Sequence, residues 1–338
     1  MSSSRPTVQR VAAHAGVSVA SVSRVLNGLA TSPEMVDKVQ SAADELGYSP
    51  NAMARSLKVR RTEQLAFSVA DVGNPVYVDM MRAVEAETRA EGYRLLLSST
   101  GPDPAEVLSL LRGLAHGYAD GLILSPIRVT DEIIEALHAI SLPTVVIGRI
   151  PPDVPVDNVR ANSAGGVRMA VEHLYETGRR RIGFLNGPTD TVPGVARARA
   201  FGRVCDRLGL PTDDALLAEA DDFTIDAGLD AVGDLIARGE PDAVLGGNDL
   251  LAVATMQALR ERGHAVPDDV AVVGMDDTEL ATVTAPTLTS VSLGSTRRGQ
   301  LAAQLLLERL RDPDREPQRV AVQPRLRVRD SSRARSRS

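Results

Sequence analysis

The stretch at residues 7–27, TVQRVAAHAGVSVASVSRVLN, has the pattern of two short helices joined by a tight turn. From Val8 onward its apolar residues recur at i, i+3, i+4 and i+7, which is one stripe of a helix that Thr7 can cap. Gly16 breaks this pattern, and Ser18 is placed to cap a second helix with its own apolar stripe. We therefore predict a helix-turn-helix, with a helical hairpin inside a larger bundle as the alternative.

The side chains outside the apolar stripe of the second helix are short or fork-shaped. Its N-terminal, outward-facing part, where a recognition helix meets base edges in the major groove, carries Val19, Ala20, Ser21, Ser23 and Arg24. Residues 1–61 carry a net charge of +4, whereas the rest of the chain carries −10 and the whole chain −6. Because phosphate contacts depend on local charge, this split predicts a DNA-reading head on an acidic body.

Several classes of protein are excluded by what the sequence lacks. It has no run of about 18 apolar residues, and its first residues, MSSSRPT, lack the apolar core of a signal peptide, so we expect a cytoplasmic protein. With one cysteine, Cys205, and no HxH or HExxH spacing among its five histidines, we expect no disulfide and no metal site. The absence of GxGxxG after the first strand, of a P-loop and of GxSxG predicts no cofactor and no catalytic residues.

The remainder of the chain has an α/β pattern. After the third helix of the head, which starts near residue 33, short apolar strands alternate with amphipathic helices from residue 65 in two successive sets. This predicts a body of two subdomains, each with a doubly wound parallel sheet. In such sheets ligands bind beyond the carboxyl ends of the strands, so the cleft between the subdomains is the predicted ligand site.

Four segments of the sequence carry a resemblance to one family. The stretch quoted above, SPEMVDKVQSAADELGYSPNAMARSL, GGNDLLAVATMQALRERG and VAVVGMDDTELA resemble the lac repressor (LacI) family of bacterial transcription regulators, over about residues 7–328. The resemblance implies a body like that of periplasmic sugar-binding proteins. It also implies a homodimeric repressor whose affinity for double-stranded operator DNA is controlled by a small effector, a sugar, bound between the subdomains. The alternatives are a cytoplasmic solute-binding protein without a DNA role and an α/β enzyme.

The resemblance also implies the domain boundaries. We expect a DNA-binding head at 1–49, a hinge helix and linker at 50–61, and an effector-binding and dimerisation body at 62–329. The polar, basic and low-complexity composition of residues 330–338 predicts a disordered tail. Within the body, the expected subdomain N spans about 62–160 plus 292–319, and subdomain C spans 161–291 plus 320–329. No long Leu-heptad segment follows Val328, so a tetramer of the lac repressor kind is not expected.

The DNA contacts implied by the resemblance lie in the head and the hinge. The matching base-reading positions are Val19, Ala20 and Arg24; the matching phosphate or backbone contacts are Thr7, Ser18, Ser21, Ser23 and Asn27. In the hinge, the matching positions are Asn51, Ala54 and Leu57, with Leu57 as the apolar wedge in the minor groove. The alternatives are helix capping for the serines and packing on the body for Leu57.

The effector contacts implied by the resemblance lie on the loops of the body. The matching positions are Arg199, Phe223, Asn248 and Asp276, with Tyr77, Ser125 and Asp157 as weaker candidates. A guanidinium, an amide and a carboxylate can grip vicinal hydroxyls, which favours a sugar. The alternative is helix capping for Asp276 and core packing for Tyr77. Leu293 stands where many relatives have Gln, which leaves the effector's identity open.

Overall fold

The computed structural model describes residues 6–26, 29, 31–48, 61–114 and 117–333. The chain divides into two compact units, Met1–Thr62 and Glu63–Ser338, which we call the head and the body.

The described part of the head is helical, with α1 (Val8–Ala15), α2 (Val19–Leu26) and α3 (Pro33–Glu45). The Thr7 hydroxyl caps α1 by accepting a hydrogen bond from the Arg10 amide at 3.4 Å. Gly16 ends α1 with φ = +65°, a left-handed conformation that glycine adopts without steric cost. Seven side chains from the three helices form the core of the head: Val11, Ala12, Val22, Val25, Val39, Ala42 and Ala43.

The body consists of two α/β lobes. The N-terminal lobe contains β1 (Gln64–Val69), α4 (Pro75–Ala90), β2 (Arg94–Ser99), α5 (Pro104–Leu114), β3 (Gly121–Ser125), α6 (Asp131–Ala139), β4 (Thr144–Ile147) and β5 (Asp157–Ala161), together with the later α12 (Ser295–Arg311) and β11 (Arg319–Val322). The C-terminal lobe contains α7 (Ser163–Glu176), β6 (Ile182–Asn186), α8 (Val192–Leu208), β7 (Leu217–Glu219), α9 (Ile225–Gly239), β8 (Ala243–Gly246), α10 (Asp249–Glu261), β9 (Ala271–Met275), α11 (Leu280–Val283), β10 (Thr289–Ser292) and β12 (Arg325–Arg327).

Each lobe is built on a six-stranded sheet. The strand order is β11-β5-β4-β3-β1-β2 in the N-terminal lobe and β12-β10-β9-β8-β6-β7 in the C-terminal lobe. In the described residues every neighbouring pair is parallel except β10 and β12. Central strands such as β3 and β9 are buried along their whole length, as expected for a sheet that helices cover on both faces. The predicted pair of doubly wound parallel sheets is confirmed.

The last change of lobe lies later in the chain than the sequence predicts. The predicted boundary gave residues 320–329 to the C-terminal subdomain, but β11 pairs in parallel with β5 of the N-terminal lobe, from Arg319 opposite Asn158 to Val322 opposite Ala161. The chain therefore passes to the C-terminal lobe only between β11 and β12. By the same pairing Ala161 belongs to the N-terminal sheet, whereas Ser292 pairs with Arg325 in the C-terminal sheet.

The expected disorder from Asp330 onward is wrong for the residues that the structure describes. Asp330–Ser332 form a 3₁₀ turn in which Ser331 and Ser332 are buried. The Ser331 hydroxyl donates to the carbonyl of Val272 at 2.6 Å and accepts from the amide of Thr289 at 2.8 Å. Buried partners hold this polar segment in place, and a composition-based prediction does not see them. Residues 334–338 lie outside the described part.

Two helices of the N-terminal lobe, α12 and α4, pack closely against each other beside the cleft. Helix α12 packs on α4, and a Cβ added at Gly299 would lie 2.5 Å from the backbone oxygen of Met80. Only glycine allows this approach of the two backbones. The packing brings the first turns of α12, where Arg298 lies, against the first turns of α4, where Tyr77 lies.

Candidate functional site

The exposed face of α2 carries the predicted base-reading side chains of the head. Val22 and Val25 point into the core, which leaves Val19, Ala20 and Arg24 exposed. Val19 is 44% exposed to solvent, although it is an apolar residue in a domain with a small core. The exposed face of α2 therefore begins with the short apolar side chains of Val19 and Ala20 and carries the guanidinium of Arg24 one turn later.

Polar groups at the beginning of the head helices are arranged as caps. The Ser18 hydroxyl accepts from the Ser21 amide at 3.1 Å and lies 2.9 Å from the Ser21 hydroxyl.

The guanidinium of Arg24 makes no ion pair within the described residues, so it is available to a base or phosphate. Ser21 and Ser23 are half-buried on the same helix. Asn27 and the hinge positions Asn51, Ala54 and Leu57 lie outside the described residues.

In the body, polar side chains from both lobes gather where parallel strands end. Ser125 is the last residue of β3, while Asn248 and Asp276 follow the ends of β8 and β9. All three are at most 6% exposed. Since parallel strands of one sheet direct their carboxyl ends to the same edge, this is the edge where an open α/β sheet binds its ligand.

An ion pair in the C-terminal lobe lies at the centre of this cluster of polar side chains. Nη2 of Arg197, on α8, lies 3.8 Å from Oδ1 of Asp276, and Nη1 of Arg197 donates to the carbonyl of Gly247 at 2.6 Å. Burial lowers the pKa of Arg197 and raises that of Asp276, while each charge favours the other. An arginine nevertheless keeps its proton in proteins, so the site holds a permanent cation.

The N-terminal lobe contributes a second guanidinium and a phenol to the same place. Arg298, on α12, is 9% exposed, and the charges that act on it are those of Asp276, Tyr77 and Arg197. Burial raises the pKa of Tyr77, and the Arg298 charge and the Ser125 hydroxyl both oppose that rise. Groups from the two lobes are thus close enough to act on one another, as a ligand site between the lobes requires.

An aromatic ring and an amide complete the cluster. The ring of Phe223 is 5% exposed, and its centroid lies 5.5 Å from Cζ of Arg197. The amide of Asn248 holds this ring in place, since Nδ2 donates to the carbonyl of Phe223 at 3.1 Å. Oδ1 of Asn248 accepts from the Leu251 amide at 2.8 Å and so caps α10. Asn248 therefore holds the backbone of Phe223 while it caps α10.

The backbone of Asp276 is strained. Its φ of +110° lies in a region that non-glycine residues rarely adopt, and the next residue, Asp277, has φ = +55°. Such strain costs of order 1–3 kcal/mol and persists where surrounding contacts fix the chain. Here the Asp276 amide donates to the carbonyl of Val291 at 2.8 Å, and Nη2 of Arg329 holds the Asp277 carboxylate at 2.6 Å. The carboxylate carried by this strained backbone lies 3.8 Å from Nη2 of Arg197.

A buried carboxylate supports this backbone from behind. Asp249, 1% exposed, accepts hydrogen bonds from the amide of Thr278 at 2.7 Å and from its hydroxyl at 2.8 Å, and also from the Ser290 hydroxyl. Burial and the nearby Asp276 charge raise the pKa of Asp249 to about 7, against the opposing effect of these hydrogen bonds. Asp249 thus ties together the loops that follow β8 and β9.

Two residues predicted for this site are not part of it. Arg199 is exposed on α8, on the face away from the cleft, and the buried arginine of that helix is Arg197. Asp157 is fully buried at the start of β5, where its carboxylate accepts from Nε of Arg309 at 3.1 Å and from the Gln318 amide at 2.7 Å. It lies at the opposite end of the sheet from the cleft, because β5 begins there. Both assignments are wrong.

Helical periodicity could have identified the two missed arginines. On α8 the buried positions include Gly194, Arg197, Phe201 and Val204, a 3–4 spacing that excludes residue 199. Arg298 likewise falls on the buried stripe of α12. An arginine on an apolar stripe requires an internal partner or a ligand.

Two further findings concern the described residues alone. None of their helices has the length and apolar character that crossing a membrane would require. No group of three or more His, Cys, Asp or Glu residues in the described ranges is placed to hold a metal ion.

Comparison with known proteins gives two matching family models. Residues 7–51 match the model for bacterial regulatory proteins of the lacI family, and residues 171–332 match a periplasmic binding protein-like domain. Over 337 residues the chain is 36% identical to the HTH-type transcriptional regulator CelR of Thermobifida fusca, spanning 97% of this chain and 98% of that protein. Over 329 residues it is 34% identical to the ribose operon repressor of Escherichia coli strain K12, spanning 96% and 99%.

Two solved structures also match the chain over nearly its whole length. A complex of the transcriptional regulator CelR with cellobiose matches with a TM-score of 0.73 at 35% identity, over 97% of this chain and all of that one. A lac repressor dimer bound to operator and an anti-inducer matches with a TM-score of 0.87, over 98% of this chain. Its identity of 24% makes it evidence for the fold alone.

Proposed function

Since the chain belongs to the LacI family of bacterial regulatory proteins, we propose that it is a repressor that binds its operator as a homodimer and responds to a sugar bound between the lobes of its body. A homodimer presents each recognition helix twice, so its operator is a pseudo-palindrome. We place the protein in the cytoplasm, together with its operator, and assign it no enzymatic activity.

The surface chemistry of α2 supports the DNA-binding half of this proposal. The Arg24 guanidinium can donate two parallel hydrogen bonds to O6 and N7 of a guanine. Val19 and Ala20 can make only apolar contacts, such as with a thymine methyl. Thr7, Ser18, Ser21, Ser23 and Asn27 are assigned to the phosphate backbone, which positions the helix without specifying sequence.

The observation that carries the effector half is the meeting of charged and polar groups from the two lobes: the buried Arg197 and Asp276 from one, and the buried Arg298 with the half-buried phenol of Tyr77 from the other. Buried groups of this kind at the carboxyl ends of parallel strands form a hydrogen-bonding site for a small polar molecule. The names of two relatives point to sugars, since one structure contains cellobiose and one relative represses a ribose operon.

Within this site each residue has a proposed role. Arg197 and Asp276 bind vicinal hydroxyls through paired hydrogen bonds, Phe223 stacks on the apolar face of the sugar ring, and Asn248 fixes that aromatic ring. Tyr77 and Ser125 contact the ligand from the N-terminal lobe. Arg199 and Asp157 have no proposed role in it.

Ligand binding and DNA binding are coupled through the relative stability of two states of the body. A sugar that binds one state more tightly than the other shifts the equilibrium, and by linkage the operator then changes sugar affinity by the same factor. We assign the connection between body and DNA to the hinge at 50–61, with Asn51 and Ala54 against the minor groove and Leu57 as the wedge.

The test begins with selection of an operator from random duplex DNA by the full-length protein. Fluorescence anisotropy then measures its affinity with and without each sugar of a panel. Arg197→Ala should abolish the sugar response while operator affinity without sugar stays unchanged. Arg199→Ala, two residues away on the same helix, is the matched control and should respond normally. A sugar response that survives Arg197→Ala would move the effector site elsewhere.

The alternative of a solute-binding protein without a DNA role makes a different prediction for the same selection. It predicts that no sequence is enriched over random DNA. The match of residues 7–51 to the regulatory family model, with an exposed Arg24 on α2, favours enrichment.

A further inference from the structure

Arg298 is a buried cation whose side chain has no partner among the residues that the structure describes. It is 9% exposed, its Nε has no hydrogen-bond partner, and its guanidinium makes no ion pair within 63–114 and 117–333, the described part of the body. Burying an ionised group is costly unless it is paired and hydrogen-bonded. Arg197 and Arg329, the other arginines named in this cleft or at its back, each have a carboxylate and a backbone carbonyl as partners, although Nε of Arg197 also has none.

The carboxylates near the cleft do not neutralise Arg298. Asp276 is the carboxylate that acts on it, and Arg197 already lies 3.8 Å from that carboxylate. Asp249 is occupied by the donors of Thr278 and Ser290, and with a pKa of about 7 it is partly protonated at neutral pH. The guanidinium groups of Arg197 and Arg298 therefore share one ionised carboxylate, that of Asp276. This leaves an excess positive charge on the side of the cleft that the N-terminal lobe forms.

Arg298 lies on the side of its helix that faces the cleft and not on the side that faces solvent. It lies on the buried stripe of α12 with Gly299 and Ala302, while the preceding residue, Arg297, is exposed. The charged and titratable groups that act on Arg298 are the cleft residues Tyr77, Arg197 and Asp276. A solvated role would have required the opposite face of the helix.

We propose that the effector is an acidic sugar, whose carboxylate or phosphate binds Arg298 beside Tyr77, while its hydroxyls bind Arg197 and Asp276 in the opposite lobe. The inference rests on the proposed function, because it specifies the ligand of the same cleft. The anion supplies the missing partner of Arg298 and completes the charge balance of the site. It also joins the two lobes, since its two ends bind to different ones.

Matched pairs of neutral and acidic sugars test this proposal by calorimetry on the full-length protein. The pairs are glucose with glucuronate and glucose 6-phosphate, cellobiose with cellobionate, and ribose with ribose 5-phosphate. In at least one pair the acidic member should bind about 10- to 100-fold more tightly, the value of one charge-assisted interaction. Comparing glucuronate with glucose 6-phosphate separates a carboxylate from a phosphate ligand.

Two substitutions on α12 identify the residue responsible. Arg298→Leu should remove the preference for the acidic member of a pair, and Arg297→Leu, the exposed neighbour, should retain that preference. Operator binding without ligand reports whether each variant is folded. Because Arg298→Leu removes an unpaired buried charge, it should also raise the melting temperature of the ligand-free protein. A lower melting temperature would mean that Arg298 has a structural partner and would overturn the proposal.

The outcomes also distinguish this inference from the proposed function. If neutral sugars change operator affinity and acidic ones bind no better, the inference is wrong and the proposed function stands. Acid preference that persists in Arg298→Leu likewise overturns the role of Arg298. If no sugar of either kind binds or changes operator affinity, the inference and the effector half of the proposed function are both wrong.

Discussion

The guanidinium of Arg128 and the carboxylate of Asp190 form a two-point ion pair between the lobes, with Nε–Oδ2 and Nη2–Oδ1 distances of 2.9 Å each. Arg128 lies in the loop after β3 of the N-terminal lobe and Asp190 in the loop before α8 of the C-terminal lobe. Close to them, the amide of Val192 donates to the carbonyl of Ile127 at 2.8 Å. The cluster of cleft residues thus lies in a body whose lobes are directly connected.

Breaking this ion pair should weaken effector binding modestly. The Asp190 side chain is 66% exposed, so solvent screens the pair and its contribution is about 0.2–1 kcal/mol. Asp190→Asn and Arg128→Gln should each raise the effector Kd by about 1.5- to 5-fold, and the double variant should lose no more than one single variant. Calorimetry measures the cycle. Additive losses would show that the two side chains act independently.

The same pair has a defined pH dependence. Arg128 lowers the pKa of Asp190, so the carboxylate is more easily ionised in the folded, connected body than in the unfolded chain. Its contribution is fully present above the unfolded-state pKa and is lost as the pH falls through the lowered one. The coupling between the two residues should therefore persist at neutral pH and vanish in acid.

Arg24→Ala should relax sequence recognition by the head. Loss of a two-point contact to guanine should reduce discrimination at one base pair per half-site by about 1–3 kcal/mol and leave the other positions unchanged. Repeated binding-site selection with the variant measures this. Lys38→Ala, on α3 and paired with Glu34 at 3.0 Å, controls for loss of one positive charge. Undiminished discrimination by Arg24→Ala would remove Arg24 from the base-reading set.

Asp249→Asn should change how the stability of the body depends on pH. The folded-state pKa of about 7 lies above the ordinary value of 3.8, so the folded protein keeps a proton that the unfolded chain has lost. Rising pH within that window therefore destabilises the wild type, by about 2 kcal/mol between pH 5 and 7.5, and should not do so through this site in the variant. Urea denaturation at the two pH values measures the difference. Parallel curves would contradict the raised pKa.

Shortening the chain at two positions tests the anchoring of its last described segment. Removal of residues 330–338 deletes the bonds of Ser331 to Val272 and Thr289, and that of Ser332 to Thr289 at 2.7 Å. At about 1 kcal/mol for each hydrogen bond, the unfolding free energy should fall by about 2–4 kcal/mol. Removal of residues 334–338 is the matched control and should have little effect. Equal stability of the two truncations would mean that the anchor is dispensable.

The sequence alone determined the parts of this protein that depend on local periodicity and on motif. The cap at Thr7, the turn at Gly16 and the apolar stripes predicted the helices of the head, and strand-helix alternation predicted the two parallel sheets. Asn248 and Asp276 were predictable for the cleft because strand ends mark the ligand edge of such sheets. These features are encoded within a few residues of one another.

Only the tertiary structure decided which arginines lie in the cleft and which polar segments are buried. Arg197 and Arg199 differ by two residues on one helix, and the packing of α8 buries the first and exposes the second. Asp157 was likewise assigned by a partner 152 residues away and Ser331 by partners 42 and 59 residues away, whereas Arg298 was assigned by the lack of one. Burial of a polar side chain depends on such distant partners, and local sequence patterns do not contain them.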